Sequence, residues 1–564
     1  MPKKALFGLA ALSTLAIVAC RPVTNDAPAD EALGLSADVY TAAERIEPDV
    51  LRETIARLSS DEFEGRGPAS PADTLTQSYL SSLLSDLGYS PGAPDGSWLQ
   101  PFDIVSITST APGTWTFSSS ESTVDLTYWD EFIAASGVQE ESASIDDAQV
   151  VFVGYGIRAP EFDWDDYKSL DVSGKVLLVL NNDPDWDAEL FAGERRLYYG
   201  RWDYKYAIAA EFGAVGVIII HTTPSAGYPY QVVQTSWTGA QFELPAAGEP
   251  RAQIEAWVTE EAAAKLVAAG GHELEALVAA ARSRDFEPVE LGLSTSLHLA
   301  NELSTVQTAN VVGLLEGSDP KLDDEVVIYT AHHDHLGIGE PDAGGDTIYN
   351  GALDNASGVA QVTAIAAAIK ALPEAPRRST LILFVAAEEQ GLLGSAYYAR
   401  HPTFHPGAIA ANINLDGGNI WGRTSDLTYI GYGKSSLDRI VDAAARRQDR
   451  IVRPDQFPDR GYFYRSDQFS FAQIGVPAIF LDSGTSFIGR PEGWGHEQIE
   501  AFEAERYHQP SDELDESWNF DGMVDDARLA FYCGMSIAQA DEMPTWNEGD
   551  EFEAARLEAL ADRP

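Results

Sequence analysis

The sequence is poor in cysteine and in positive charge, and each shortage excludes a class of protein. It contains two cysteines, Cys20 and Cys533, and 37 Lys and Arg against 88 Asp and Glu in 564 residues, which gives a net charge of −51. A nucleic-acid-binding protein needs Lys and Arg to replace phosphate counterions, and electrostatic docking on an anionic membrane needs the same residues. We therefore expect no nucleic-acid partner and no electrostatic membrane contact.

Long apolar runs are also missing. The run over residues 5–19 follows Lys3 and Lys4 and is shorter than the roughly 20 residues that cross a bilayer. A positive start, a short apolar centre and a small residue before the cut are typical of a signal peptide. Ile17-Val18-Ala19-Cys20 resembles the bacterial lipobox, in which the cysteine is lipidated, and an ordinary signal peptide with a chance cysteine is the alternative.

The residue after Cys20 indicates the destination of such a lipoprotein. Because Arg21 follows, and not an aspartate, the resemblance implies an exported outer-membrane lipoprotein that faces the periplasm or the exterior. Its lipid anchor would be its only membrane contact. If Cys20 is acylated, Cys533 has no partner for an intramolecular disulfide, and its apolar surroundings predict a buried thiol.

What is present is enough apolar material, 45% of residues, for a large core. Helical spacing between Thr41 and Leu87 gives way to strand-like runs at 102–128 and then to a compact mixed unit at 136–290, in which residues 260–281 read as one helix. From Val326 onward strands and helices alternate, which predicts an α/β fold with a mostly parallel sheet covered on both faces. In such sheets ligands bind beyond the carboxyl ends of the strands.

These changes of pattern predict the domain organisation. The expected segments are a signal peptide at 1–19, a lipidated tether at 20–45, the N-terminal part of a catalytic domain at 46–135, an insert at 136–290, the main catalytic domain at 291–540 and an acidic C-terminal tail at 541–564, which is a peripheral helix or a frayed end.

Imidazoles and carboxylates accumulate where the predicted strands end. Separately, such residues are explained by a local hydrogen bond, a turn, a helix start or an N-cap. Together, in one alternating region and without thiolates, they favour a zinc site, or less selectively manganese or cobalt. The residues are His332, Asp354, Glu388, Glu389, Asp416 and His508.

The same residues carry a resemblance to a known family. Ala331 to Gly337 (AHHDHLG), Asp354 to Gly358 (DNASG), Ala387 to Ser395 (AEEQGLLGS), Asn414-Leu415-Asp416 and Tyr507 to Asp512 (YHQPSD) resemble, in this order, the motifs of the co-catalytic di-zinc aminopeptidases. This family also has glutamate-carboxypeptidase-like and glutaminyl-cyclase-like branches. Ser59 to Gly67 resembles the opening segment of many secreted bacterial members, and Val153 to Gly156 with Trp164 to Tyr167 resembles a protease-associated insert.

The resemblance implies a zinc exopeptidase-like fold with a β-rich protease-associated insert, and a role for each matched residue. His332 and Asp416 would hold one Zn²⁺, Glu389 and His508 a second, and Asp354 would bridge them. Glu388 would be the general base for a water held between the metals, Asp334 would orient His332, and Tyr507 would stabilise the oxyanion. The peptide bond after Asp354 would be cis. His333 and His335 match no ligand position and would line the entrance or form local hydrogen bonds.

The implied activity is hydrolysis of the N-terminal peptide bond of peptide substrates. Two alternatives stay open: a carboxypeptidase on the same scaffold, with Arg423, Arg460 and Arg465 as candidates for binding a free carboxylate, and a non-catalytic zinc-containing binding lipoprotein. A histidine at position 332 favours a hydrolase over the cyclase-like branch, which lacks it. The sequence makes no prediction of the oligomeric state.

Overall fold

The structure is a computed structural model that describes residues 28–187 and 190–563. The predicted signal peptide, the lipidation of Cys20 and the first part of the tether lie outside the described residues. Residues 28–45, the rest of the predicted tether, are folded: they form two short helices, and Leu33 and Val39 are each only 3% exposed. This part of the tether packs against the main hydrophobic core because its apolar side chains are buried there.

Helices flank the chain at both ends and separate most of the later strands. Their bounds are α1 Ala29–Leu33, α2 Ala37–Ala43, α3 Pro48–Leu58, α4 Pro71–Leu87, α5 Trp202–Glu211, α6 Thr223–Ala226, α7 Tyr230–Ser236, α8 Glu260–Ala269, α9 Leu274–Ala281, α10 Ser357–Lys370, α11 Leu393–Arg400, α12 Asp438–Arg447, α13 Gln468–Gln473, α14 Trp494–Glu505, α15 Asp521–Gln539 and α16 Glu553–Ala561.

The strands fall into an N-terminal and central set and a later set, joined by one long strand. The first set is β1 Ser90–Pro91, β2 Leu99–Thr110, β3 Thr114–Ser118, β4 Thr123–Thr127, β5 Phe132–Ser136, β6 Ser142–Phe152, β7 Arg158–Ala159, β8 Trp164–Asp165, β9 Val176–Leu180, β10 Gly216–His221, β11 Ala240–Glu243 and β12 Ile254–Thr259. The joining strand is β13 Val289–Leu315, and the later set is β14 Val326–His332, β15 Gly337–Ile338, β16 Ile348–Tyr349, β17 Ser379–Val385, β18 Ile409–Asn414, β19 Asp426–Ile430, β20 Ile451–Pro454 and β21 Ala478–Asp482.

The later strands form the sheet that the alternating pattern predicts. Their order is β13-β17-β14-β18-β21-β19-β20, and the pairs β17–β14, β14–β18, β18–β21 and β19–β20 are parallel. Every residue of β14, β17 and β18 is buried, since helices such as α10 and α15 cover the sheet. The predicted α/β fold with a mostly parallel sheet is confirmed.

A second core fills the central region. It runs from Trp115 to Leu299 in the sequence and therefore extends beyond both ends of the predicted insert at 136–290. Strands β6, β9, β10 and β12 pair in parallel, and β5 joins β12 antiparallel. The 27-residue strand β13 pairs with β6 at its start and with β17 at its end, so it connects this region to the main sheet.

Two local expectations change. The predicted helix at 260–281 is two helices, α8 and α9, because Gly270 and Gly271 end the first one, Gly271 with a φ of +78°. The predicted acidic tail contains α16, and Arg556 of that helix is 1% exposed, so the end of the chain is docked rather than frayed. The predicted burial of the Cys533 thiol is confirmed. Among the described residues, no helix combines the length and the apolar character that a bilayer crossing requires.

Candidate metal centre

Three neighbouring strands deliver side chains to one edge of the main sheet. Strand β14 ends at His332 and lies between β17 and β18, where His332 pairs with Val385 of the first strand and Thr330 pairs with Asn414 of the second. The chain beyond those two residues carries Glu388 and Glu389 on one side and Asp416 on the other. Parallel strands end at the same edge, and this geometry brings together residues that are up to 84 positions apart.

One group of ligand atoms surrounds His332. Its Nε2 lies 3.2 Å from Oδ1 of Asp354 and 3.1 Å from Oδ1 of Asp416. Two ligands of one tetrahedral Zn²⁺, each about 2.0–2.1 Å from the ion, are separated by roughly 3.3 Å. The three side chains therefore stand at the spacing that one cation requires.

A second group surrounds His508, which follows α14. Its Nε2 lies 3.2 Å from Oδ2 of Asp354 and 3.0 Å from Oε2 of Glu389. This buried nitrogen has no hydrogen-bond partner among the described residues, as expected for a lone pair that faces a cation. Asp354 thus turns one carboxylate oxygen to each group. The donor set and the spacing fit two cations that share Asp354, which lies in the tight turn Ala352–Ala356 before α10 and is followed by the expected cis peptide bond.

The balance of charge in this pocket also favours cations. Burial raises the pKa of Glu388 well above its usual range. The carboxylates of Asp416 and Glu389 raise it further, and His332 acts in the opposite direction. The carboxylates of Asp416, Glu388 and Asp354 hold the pKa of His332 well above its usual range, although burial alone would lower it. Bound divalent cations would offset this repulsion and leave Glu388 ionised.

Asp334 contacts the site through both its main-chain carbonyl and its carboxylate. Its carboxylate oxygen is 3.8 Å from Nδ1 of His332, whereas the main-chain carbonyl of Asp334 is 3.2 Å from that nitrogen. The fully buried carboxylate instead accepts the backbone N–H groups of Glu388, at 3.2 Å, and Glu389, at 3.4 Å. Asp334 therefore orients His332 through its carbonyl and orients the Glu388–Glu389 pair through its side chain.

Tyr507 lies at the open side of the pocket. It is 41% exposed, and its ring stacks on the imidazole of His508 with ring centres 3.8 Å apart. The stacking holds the Tyr507 ring beside His508, a member of one of the two ligand groups.

His335 is closer to the centre than the sequence indicated. It is fully buried, and its Nδ1 lies 2.6 Å from Oε1 of Glu389, the oxygen not directed at His508. Its imidazole, with Asp354 and Glu389, offers atoms that could surround a metal. A separation of 2.6 Å is a hydrogen bond and is shorter than the roughly 3.3 Å between two zinc ligands. His335 therefore holds Glu389 in place, as a local hydrogen-bonding role predicts, and His333 bonds Asp73 at 3.3 Å.

Two further residues were missed by the sequence analysis. Ser466 donates a hydrogen bond of 2.5 Å to Oδ2 of Asp416, and buried Asp512 accepts the N–H groups of Leu353 and Asp354 at about 3.0 Å. Asp512 belongs to the motif that contains His508, which was a usable signal. Ser466 carried none, because nothing local links it to a residue fifty positions earlier.

Comparison with known proteins identifies the part of the chain that contains this centre. Residues 310–531 match the family model described as peptidase family M28, so the resemblance to the co-catalytic zinc aminopeptidase family is confirmed for this segment, which is a hydrolase domain. The match includes all of the ligand candidates and the Glu388–Glu389 pair. No curated protein matches the chain.

Several solved structures are similar to the chain at low identity. An aminopeptidase from Aneurinibacillus sp. strain AM-1 is 19% identical with a TM-score of 0.47 and is aligned over 90% of this chain and 97% of its own. A zinc aminopeptidase from Bacillus subtilis (19%, TM-score 0.40, 86% and 94%) and a peptidase M28 precursor from Shewanella amazonensis SB2B (18%, TM-score 0.41, 91% and 98%) are similar as well. With TM-scores below 0.5, the activity of this chain has to be argued from its own residues.

Proposed function

We propose that the chain is a zinc-dependent exopeptidase that hydrolyses the N-terminal peptide bond of peptides. The observation that carries the proposal is Asp354, whose two oxygens each stand 3.2 Å from the histidine of a separate ligand group. His332 and Asp416 would hold one Zn²⁺, Glu389 and His508 the other, and Asp354 both, with Mn²⁺ or Co²⁺ as possible replacements. When bound, such a pair of cations supplies Lewis-acid polarisation of the scissile carbonyl and lowers the pKa of water.

The protein's own groups would move the protons. Glu388 is in the pocket, and its main chain is fixed by the Asp334 carboxylate. As general base it would take a proton from the attacking water and then deliver that proton to the leaving amine. The hydroxyl of Tyr507, whose ring is held by stacking on His508, would donate a hydrogen bond to the developing oxyanion.

The carboxypeptidase alternative needs an arginine that is free to bind a substrate carboxylate. Arg423 is 3.2 Å from Asp525, and Arg460 bonds Tyr462 and lies 3.7 Å from Glu503. Arg465 is exposed, with its guanidinium over the Tyr462 ring at 5.5 Å. Arg423 and Arg460 are thus already engaged, and Arg465 is the candidate on which the carboxypeptidase alternative depends.

The test combines metal analysis of the purified protein with a substrate panel. We expect about two zinc ions per chain and hydrolysis of leucyl-p-nitroanilide and unblocked dipeptides. Hydrolysis of N-blocked peptides alone would favour the carboxypeptidase, and bound zinc without any hydrolysis would favour the binding lipoprotein. Protein without bound metal after purification and reconstitution would contradict the proposal.

The cellular location and the central region belong to the same proposal. The protein would be an outer-membrane lipoprotein, and its central region a protease-associated insert that either limits access to short peptides or is a passive interaction domain. Replacing Cys20 with serine should abolish labelling by radioactive palmitate and release the protein from membranes. Continued labelling would contradict the anchor.

A further inference from the structure

Arg66 is a fully buried cation without a carboxylate partner. It is 0% exposed, and no carboxylate of the described residues lies within ion-pair distance of its guanidinium. All of its hydrogen bonds go to main-chain carbonyls: Nε to His333 at 2.9 Å, Nη1 to Leu58 at 2.8 Å and Asn350 at 2.7 Å, and Nη2 to Gly351 at 2.8 Å. Burying a charge in this way is costly, and the four hydrogen bonds, which use four of the five guanidinium N–H groups, offset much of that cost.

The carbonyls that Arg66 binds belong to the segments that carry the candidate ligands. His333 directly follows His332 at the end of β14, and Gly351 begins the turn that presents Asp354 three residues later. Leu58 is the last residue of α3. One planar guanidinium therefore joins two ligand-bearing segments and an N-terminal helix and fixes the distances between them. The five N–H donors of arginine form a rigid fork, which suits this role.

The charge of Arg66 faces the same centre. Burial lowers its pKa to about 10, and the carboxylates of Asp334, Asp512, Asp354 and Glu389 act in the opposite direction, in that order. The group is therefore a cation at neutral pH. The guanidinium lies near the cluster of carboxylates but hydrogen-bonds the backbone carbonyls of the ligand-bearing segments and not the carboxylates themselves.

The glycines beside Arg66 allow its segment to approach closely. A Cβ on Gly65, whose φ is +66°, would lie 2.4 Å from the carbonyl oxygen of Tyr349 and 2.5 Å from that of Gly337. A Cβ on Gly67 would lie 3.1 Å from the Cα of Gly337, a milder conflict. The backbone of residues 64–67 is thus pressed against the loop that follows His335.

We propose that Arg66 is a positioning residue of the metal centre, which sets the distance between His332 and Asp354 by binding the carbonyls of their two segments. The proposal rests on the proposed function, since it concerns how firmly and in what geometry the cations are held. Arg66 contacts no substrate in this account and acts only through the segments that it joins.

A second buried arginine provides a matched control. Arg556 is 1% exposed, and burial lowers its pKa to about 10 as well. Three of its hydrogen bonds go to main-chain carbonyls (Ile409 at 3.0 Å, Pro406 and Pro544 at 3.3 Å) and one goes to Sδ of Met543 at 3.4 Å. It joins α16 to the beginning of β18, the end of that strand opposite to Asp416. Arg66→Lys and Arg556→Lys therefore each remove a buried guanidinium, the first beside the candidate metal centre and the second at the opposite end of β18.

The test compares these variants in the full-length protein by zinc affinity from chelator competition, by the visible absorption spectrum of the Co²⁺-substituted protein and by kcat and KM. We expect Arg66→Lys to weaken zinc binding about tenfold or more, to change the Co²⁺ spectrum and to lower kcat with KM within about twofold. Arg556→Lys should lower the melting temperature and leave zinc affinity and the Co²⁺ spectrum unchanged.

Two outcomes would overturn the proposal. In one, Arg66→Lys loses thermal stability as Arg556→Lys does but keeps the wild-type zinc affinity and Co²⁺ spectrum. If Arg66→Lys does not fold, Gly67→Ala takes its place. This variant keeps the arginine, and its Cβ forces the backbone of Gly67 and Gly337 apart by a few tenths of an ångström. A wild-type Co²⁺ spectrum and zinc affinity for Gly67→Ala would overturn the proposal equally. If the wild-type protein itself binds no metal, the proposed function fails, and that result is distinct from both.

Discussion

The main sheet and the central region both contain parallel strands with fully buried side chains, but they treat buried charge differently. At the edge of the main sheet, Asp354, Glu389 and Asp416 face imidazoles. In the central region Lys205, 0% exposed, donates to the carbonyl of Asn182 at 3.0 Å and lies in the field of buried Asp183 and Asp166.

The difference lies in where the neutralising charge comes from. The central carboxylates lie among cations of the protein itself: Asp183 faces Lys205 and Arg196, and Asp166 faces Lys205 and Lys168. Burial raises the pKa of both carboxyls to about 7, and these cations act against that rise. The carboxylates of the main sheet face histidines whose lone pairs converge, with Arg66 behind them. A buried cluster that the chain neutralises itself is a structural feature, whereas one left in excess of negative charge is a site for cations.

Removal of metal is expected to have the largest effect, and only on the main-sheet cluster. Dialysis against a chelator should abolish hydrolysis and lower the thermal midpoint, because a ligand bound only by the folded state stabilises it by about 2.7 kcal/mol at a hundredfold excess over Kd. Scanning fluorimetry with and without Zn²⁺ measures this. Asp354→Asn should lose the zinc-dependent shift, and Asp183→Asn should keep it. Equal midpoints of the wild-type protein in both conditions would contradict the contrast.

Glu388→Gln is expected to have the next largest effect. Loss of the general base should reduce kcat by about 10²–10⁴-fold with zinc content unchanged, since Glu388 is not one of the five ligands proposed. Steady-state kinetics and metal analysis measure the two quantities. Glu255→Gln is the control from the central region, where burial raises the pKa of Glu255 to about 8 and where Glu255 belongs to none of the candidate metal-ligand groups among the described residues. Undiminished hydrolysis by Glu388→Gln would refute the mechanism.

Substitutions of His335 should have an intermediate effect. His335→Phe removes the donor to Glu389 and should weaken zinc binding by about tenfold, whereas His335→Asn, which can offer an N–H at the position of Nδ1, should recover most of the affinity. Competition with a chelator gives the values. His221→Asn changes a buried histidine of the central region, bonded to the Tyr228 carbonyl at 3.0 Å, and should leave zinc affinity unaltered. A loss of zinc stoichiometry in His335→Asn would instead make His335 a ligand.

Lys205→Met should change hydrolysis least. Removing the cation leaves Asp166 and Asp183 buried without it, and breaking such a cluster costs about 3–5 kcal/mol of folding free energy. Denaturant unfolding measures this cost, and kcat of the folded protein should equal that of the wild type. Lys265→Met removes an exposed lysine that pairs with Glu131 and should cost no more than about 1 kcal/mol. A change in zinc affinity in Lys205→Met would show that the two clusters are coupled.

The sequence predicted the framework of the site because that framework is local. Runs such as Val326 to Tyr329 are apolar on both faces, so they read as buried parallel strands, and polar residues directly after such strands mark the edge where ligands bind. The prediction of a single helix over residues 260–281 was wrong, because the alanine-rich helical spacing continues on both sides of Gly270 and Gly271 and only the turn conformation at these glycines separates the two helices.

The contacts around the ligands could not be predicted in this way. The hydrogen bond between Ser466 and Asp416 spans 50 positions, and those of Arg66 to the segments after β14 and before Asp354 span 267 to 285. The hydrogen bonds of the Asp334 carboxylate could not be predicted either, because they go to backbone N–H groups that follow a different strand. Periodicity has no information on pairs of this kind.

The order of residues along the chain by itself determined which side chains follow the ends of the buried strands. The excess of acidic residues determined that few Lys and Arg side chains were available to neutralise the carboxylates among them. Which histidine faces which carboxylate was decided only by the tertiary structure. The reason is physical: an interaction of a few ångströms between groups hundreds of positions apart exists only after strand pairing and close packing have fixed both backbones.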